Sequence, residues 1–180
     1  MEATRPAHAR RWVTVLLAAG MLVTALSALP AGATAGGNTE ACTPGYWKNH
    51  TDNWLEEPGV LIPTSKTLGS AFGSLYTYWP DLADDTFLDA LNYNSFQGTE
   101  GKVRNLLKHA VAAFLNAAYD DAEGHLLYPL RRNGQGDGPA GFQGIIPEVD
   151  QAIASGNNGT ILGLKDLFDS IANDLPCPLN

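Results

Sequence analysis

Cysteine and histidine, which carry much of protein metal and nucleophile chemistry, are scarce in this chain: two Cys and four His among 180 residues. Cys42 and Cys177 each stand far from any second cysteine, and this spacing suits no zinc site. No G-x-S-x-G elbow, no H-E-x-x-H pair and no dinucleotide-binding glycine pattern occurs. Positive charge is sparse too. Eleven Lys and Arg face nineteen Asp and Glu, and the basic residues are scattered rather than clustered. Binding of nucleic acid rests on clustered cations that neutralise phosphates, so nucleic acid is excluded as a partner, and an anionic bilayer surface is disfavoured for the same reason.

One long apolar run is present, and it lies at the N-terminal end. Arg5, Arg10 and Arg11 precede an apolar stretch from Trp12 to Leu29, which is followed by Pro30 and the small-residue string A-G-A-T-A-G-G. That is the layout of a secretory signal peptide over residues 1–35, with cleavage after Ala35 or, nearly as well, after Ala33. The run is also just long enough to span a bilayer as an uncleaved anchor, but the small-residue site directly after it favours cleavage. Removing residues 1–35 takes away three Arg and one Glu and leaves a net charge of −10. Such acidity suits solubility outside the cell. Export also makes a disulfide the default state of Cys42 and Cys177. A bridge between these positions ties the two ends of the domain together and, in the chain-entropy description, stabilises it by up to about 5 kcal/mol.

The remaining composition is that of an ordinary globular protein, with 44% hydrophobic and 17% charged residues. After a short polar lead at 36–41, residues 42–180 read as a single, mainly α domain. Its organising stretch is T-E-G-K-V-R-N-L-L-K-H-A-V-A-A-F-L-N-A-A-Y, residues 99–119, with no Gly or Pro between Lys102 and Tyr119. On a helical wheel Val103, Leu106, Leu107, Ala110, Val111, Phe114 and their neighbours cover roughly 200°, wider than the stripe of a surface helix. A central helix covered on several sides is the expectation. Asn105, Lys108, His109, Ala112 and Asn116 occupy the narrow remaining face, where they are expected to bond to neighbouring loops. A His109–Asn116 constellation is conceivable there.

Between residues 55 and 96, Pro58, Gly59, Pro63, Gly69, Gly73 and Pro80 restrict every element to a short length. Val60-Leu61-Ile62 reads as a brief extended run. Leu68, Phe72 and Leu75 have helical spacing, and Asp84 or Asp85 is placed to cap a helix carrying Phe87, Leu88 and Leu91. Gly124 is a stop signal for the main helix. The glycine-rich segment 133–144 reads as a mobile surface loop. Two more helices close the domain: one with Ile146, Val149 and Ile153 as its stripe, the other capped by Thr160 and carrying Ile161, Leu164, Phe168, Ile171 and Leu175.

The string Cys42-Thr-Pro-Gly-Tyr-Trp-Lys-Asn-His50, the downstream Trp54, the L-L-K-H-A-V-A-A-F-L-N-A-A helix and the late L-P-C-P-L-N resemble exported microbial proteins built on a T-x-G-Y-W-K motif. The glycine-rich segment reads as an insertion relative to that pattern. The resemblance brings no activity and no catalytic residue with it. On the residues themselves, Thr43-Pro44-Gly45 is a turn signal that delivers Tyr46 and Trp47 to the fold. Tyr46, Trp47 and Trp54 have two readings: packing around the termini, or a surface that stacks on a flat ligand such as a sugar ring, with Asn49, His50 and Asp52 supplying hydrogen bonds.

Other constellations are weaker. Asp121, Glu123 and His125 would converge as metal ligands if the segment were extended, although a polar helix exit explains the same residues. Asn49-His50-Thr51 and Asn158-Gly159-Thr160 match the N-glycosylation pattern. No cofactor is expected. Together these features point to an exported, non-enzymatic binding or structural protein, acting outside the cell or at its surface on a glycan, an envelope polymer or another protein. The alternative is a secreted hydrolase of envelope or extracellular polysaccharide that uses scattered carboxylates or the His50–Asp52 pair.

Overall fold

A computed structural model describes residues 40–94, 97–124, 126–134, 136 and 138–179. All belong to one unit, Ala35–Asn180. The signal-peptide segment, His125 and most of the polar lead lie outside the described residues.

Helix dominates this unit. Short helices α1 (Pro44–Asn49), α2 (Leu68–Ala71), α3 (Leu75–Tyr78), α4 (Pro80–Ala83) and α5 (Phe87–Leu91) precede the long α6 (Gly98–Glu123), and α7 (Ile145–Ser155) and α8 (Asn158–Asp174) follow it. A small antiparallel hairpin, β1 (Leu55–Glu57) and β2 (Val60–Leu61), turns at Pro58-Gly59, where Gly59 adopts φ +73°. Helix α6 runs 26 residues, a turn beyond the predicted end, and packs against β1, α1, α5, α7 and α8. Its wide apolar surface is thereby covered: Val103, Leu106, Leu107, Ala110, Val111, Phe114, Ala117 and Ala118 are all buried. Each fully buried Leu, Val or Phe contributes about 1.5–3 kcal/mol. Gly124 ends the helix in the left-handed region at φ +67°, its N–H donating to the Asp120 carbonyl at 2.7 Å.

The first and last described segments meet beside α6. Cys42 and Cys177 form a disulfide with a Cα–Cα distance of 4.6 Å, and the Ala41 N–H donates to the Pro176 carbonyl at 3.0 Å. Ala41 is fully buried, so the domain begins slightly before the polar lead was expected to end. Thr43-Pro44 starts a helix rather than a turn: Pro44 occupies the first turn, where a missing N–H costs nothing, and Thr43 Oγ1 accepts from the Tyr46 N–H.

Three further expectations shift. Thr86, not Asp84 or Asp85, caps α5, in a reciprocal box with Asp89. Asn157 rather than Thr160 caps α8, because its Oδ1 accepts from the Gly159 and Thr160 amides. The glycine-rich segment has no helix or strand among its described residues, yet it is tied down. Phe142 is buried, the Gly134 N–H donates to the Gln143 carbonyl at 2.8 Å, and Gly144 sits at φ +118° against the backbone of Asn133.

Candidate functional site

The aromatic segment 46–54 forms no stacking surface. Trp47 and Trp54 are both 0% exposed, so neither ring presents a face to a ligand. Their indole N–H groups are satisfied internally, Trp54 Nε1 donating to the Trp47 carbonyl at 2.9 Å and Trp47 Nε1 to Asn116 Oδ1 at 3.2 Å. Tyr46 is buried as well. Its hydroxyl donates to the Leu179 carbonyl and accepts from Asn53, and burial pushes its pKa up. His50 stacks on the Tyr46 ring at 4.1 Å and hydrogen-bonds the Tyr46 carbonyl through Nδ1. Asn49 is exposed, but its side-chain amide donates back to the Gly45 carbonyl. The backbone from Thr51 to Asn53 is a 3-10 turn rather than extended, and no hydrogen bond or ion pair joins His50 to Asp52 among the described residues. The segment seals the termini.

Asn116 explains how. It lies on the narrow polar face expected to bond to neighbouring segments, and it does so while fully buried. Its Oδ1 accepts from the Cys42 N–H at 2.7 Å while its Nδ2 donates to the Cys42 carbonyl at 2.9 Å, so one amide satisfies both backbone groups of the disulfide residue and an indole besides. His109, seven residues earlier, turns to a different partner. It is partly buried, with Nδ1 3.5 Å from Asp169 of α8, and burial holds its pKa below the usual imidazole value against the opposing pull of Asp169. His109 and Asn116 therefore serve separate contacts.

The metal reading of Asp121, Glu123 and His125 required an extended segment. Helix α6 continues through Glu123, and residues two apart on a helix point to well-separated directions. No cluster of metal-ligating side chains exists among the described residues. Asp121 pairs with Arg132 instead, at 3.1 Å.

That pair leads to a cleft of about 440 Å³, within the size range of ligand sites. Elements distant in sequence build it: Glu56 on β1, Lys66 and Ser70 beside and on α2, Phe114 and Asp121 on α6, and Arg131 and Arg132 after α6. The arginine pair is held from behind. Asp120, buried at the end of α6, pairs with Arg131 and also accepts from the Leu127 N–H at 2.7 Å, which anchors a residue at φ +49°. The Arg131 and Arg132 carbonyls accept from the Ile145 and Ile146 amides at the start of α7. Arg132 then reaches both Asp121 and, at 3.7 Å, Glu56. Its guanidinium lies 5.6 Å from the centre of the Phe114 ring, and Lys66 Nζ lies 5.9 Å from the same ring. Among the described residues no carboxylate pairs with Lys66. In the sequence Arg131, Arg132 and Lys66 are among the scattered cations, and no motif marks them.

No described helix is long and apolar enough to cross a membrane. The chain matches no protein-family model, no curated protein and no solved structure.

Proposed function

We propose that this is an exported, non-enzymatic binding protein whose contact site is the Lys66–Arg132 cleft rather than the 46–54 segment. The cleft carries the reading. It places two arginines paired to carboxylates and an ammonium without a carboxylate partner among the described residues around one concavity of ligand size, with the buried Phe114 ring beside them. Export is supported by the signal-like leader and by the disulfide that joins the termini. Glycan, envelope polymer and protein are the partner classes this favours.

Ser70→Tyr tests the site, because Ser70 is exposed at the rim and a larger side chain there fills the cleft without entering the core. Protein recovered from the culture medium should retain an extracellular glycan or polymer that the variant, equally stable, releases. Equal retention by the variant would remove the cleft from consideration, and protein found only inside the cell would sink the export part.

One observation favours a hydrolase as the second reading: two carboxylates, Glu56 and Asp121, line the same cleft. Both are held by Arg132, which suits a fixed recognition surface better than an acid–base pair whose members must exchange protons. Turnover of polysaccharide that Glu56→Gln or Asp121→Asn abolishes would establish the hydrolase instead.

A further inference from the structure

We propose that Asn133-Gly134 is a latent self-modification site, at which a carboxamide of the cleft wall converts to a carboxylate once the clasp that holds Gly134 opens. An asparagine followed by glycine is open to this chemistry because the missing side chain lets the next backbone nitrogen approach the carboxamide. The Gly134 nitrogen gives up its proton to hydroxide and attacks Cγ of Asn133. The new C–N bond closes a succinimide ring, the Cγ–Nδ2 bond breaks, and ammonia leaves with a proton taken from water, which regenerates hydroxide. Water then opens the ring at either carbonyl, giving isoaspartate or aspartate with no change of oxidation state. Two such steps occur in the chain, Asn133-Gly134 and Asn158-Gly159, and the fold treats them differently. Asn158 lies in the first turn of α8, where the Gly159, Thr160 and Ile161 amides all donate to Asn157. Ring closure there requires the helix to give up its first turn and its cap.

Asn133 is exposed in a stretch without helix or strand, and among the described residues no hydrogen bond holds its carboxamide. Its protection rests on its neighbours. The Gly134 N–H donates to the Gln143 carbonyl at 2.8 Å, and a nitrogen so engaged neither loses its proton readily nor turns toward Cγ. Gln143 is fixed in turn by its own N–H, which donates to Glu148 Oε1 at 2.9 Å. Gly144 lets the two stretches of backbone close on each other, since a Cβ there would lie 2.7 Å from the Asn133 Cα and 2.9 Å from the Gly134 nitrogen. One backbone hydrogen bond, one carboxylate and one absent side chain therefore make the clasp, and local opening of this segment suffices to release it. The consequence falls on the cleft, which Asn133 lines together with Lys66, Arg131, Arg132, Glu56 and Asp121. Once Asp120, the partner of Arg131, is counted, these charges balance, and modification adds one carboxylate to them. Isoaspartate also lengthens the backbone between Arg132 and Gly134. None of this chemistry depends on what the cleft binds.

Purified protein held at mildly alkaline pH and sampled over days tests this, with peptide mapping by mass spectrometry and enzymatic methyl labelling of isoaspartate to read both steps. The folded protein should modify Asn133 more slowly than the same protein in denaturant by about tenfold or more, the worth of a backbone hydrogen bond that must open first. Glu148→Ala and Gly144→Ala should each raise the rate at Asn133 severalfold while leaving Asn158 unchanged. Asn158 is the internal control, because global unfolding accelerates both steps, as denaturant does. Glu148→Ala loosens the clasp without introducing a clash, and it decides the matter where Gly144→Ala unfolds the domain. The rate should rise with pH, and Asn133→Gln should remove the signal at this position. Modification of Asn133 in the folded protein at the denatured rate would show that there is no clasp. Refutation would also come from an unchanged Asn133 rate in Glu148→Ala, or from Asn158 accelerating in step with Asn133 in that variant.

Discussion

Replacing Asn116 by alanine removes three hydrogen bonds at once: from the Cys42 N–H, from Trp47 Nε1 and to the Cys42 carbonyl. Cys42 and Trp47 are both 0% exposed, so water does not reach the orphaned groups without a rearrangement. A buried donor left without a partner costs about 1–3 kcal/mol, and two of them give about 2–6 kcal/mol. The carbonyl, with two lone pairs, adds less. Alanine also vacates the volume of an amide, and a water entering there would recover part of the loss. The expected cost is about 3–4 kcal/mol, a large fraction of the about 5–15 kcal/mol that stabilises a domain. Denaturant unfolding of the oxidised protein, followed by tryptophan fluorescence, measures it. Trp47→Phe deletes one of the donors, so the double variant should lose less than the sum of the singles by about 1 kcal/mol or more. A loss under about 1 kcal/mol for Asn116→Ala with an unchanged denaturant slope, or additive single losses, would refute the clamp. The disulfide is expected to behave differently, since reduction acts chiefly on the unfolded chain by as much as about 5 kcal/mol, whereas Asn116 acts on the folded one.

Other outcomes follow from single residues. Tyr128 is buried with its hydroxyl lacking a hydrogen-bond partner among the described residues, and burial raises its pKa; Tyr128→Phe should be neutral or stabilise by up to about 1 kcal/mol, and a comparable loss in thermal unfolding would reveal a partner. His109 has a folded pKa depressed below its unfolded value of about 6.5, by burial against Asp169, Lys165 and Asp166 of α8 and with Lys108 of its own helix adding to the effect of Lys165. The unfolded chain therefore binds this proton more readily, and the contribution of His109 to stability is intact above about pH 6.5 and declines as pH falls toward the folded value. His109→Gln should flatten the melting temperature across that window, and an unchanged slope would contradict the assignment. Gly144→Ala places a Cβ 2.7 Å from the Asn133 Cα at φ +118°; it should destabilise by about 1–3 kcal/mol, and an unperturbed melting curve would mean that the turn before α7 yields freely.

Periodicity and composition determined the mainly helical class, the central helix, its stop at Gly124 and the pairing of Cys42 with Cys177. These rest on local or one-dimensional properties: an uninterrupted helical pattern too wide to stay exposed, a glycine free to take positive φ, two lone cysteines at opposite ends. Boundaries moved where a neighbour a residue or two away made the better cap, as Thr86 and Asn157 did. Only the tertiary structure decided what the polar and aromatic residues do. The wheel placed Asn116 on a polar face bonding to neighbouring loops, but it cannot know that Cys42, 74 positions earlier, brings two backbone groups and Trp47 an indole for this one amide to satisfy. Trp47 and Trp54 could as well have faced a ligand, and complete burial closed that option. The cleft was illegible altogether. Its members come from β1, the α2 region, α6 and the segment after it, and each is unremarkable in its own stretch of sequence. They become a site only because α6 collects these elements along its length, and a charge acquires chemical meaning from the neighbours that folding supplies.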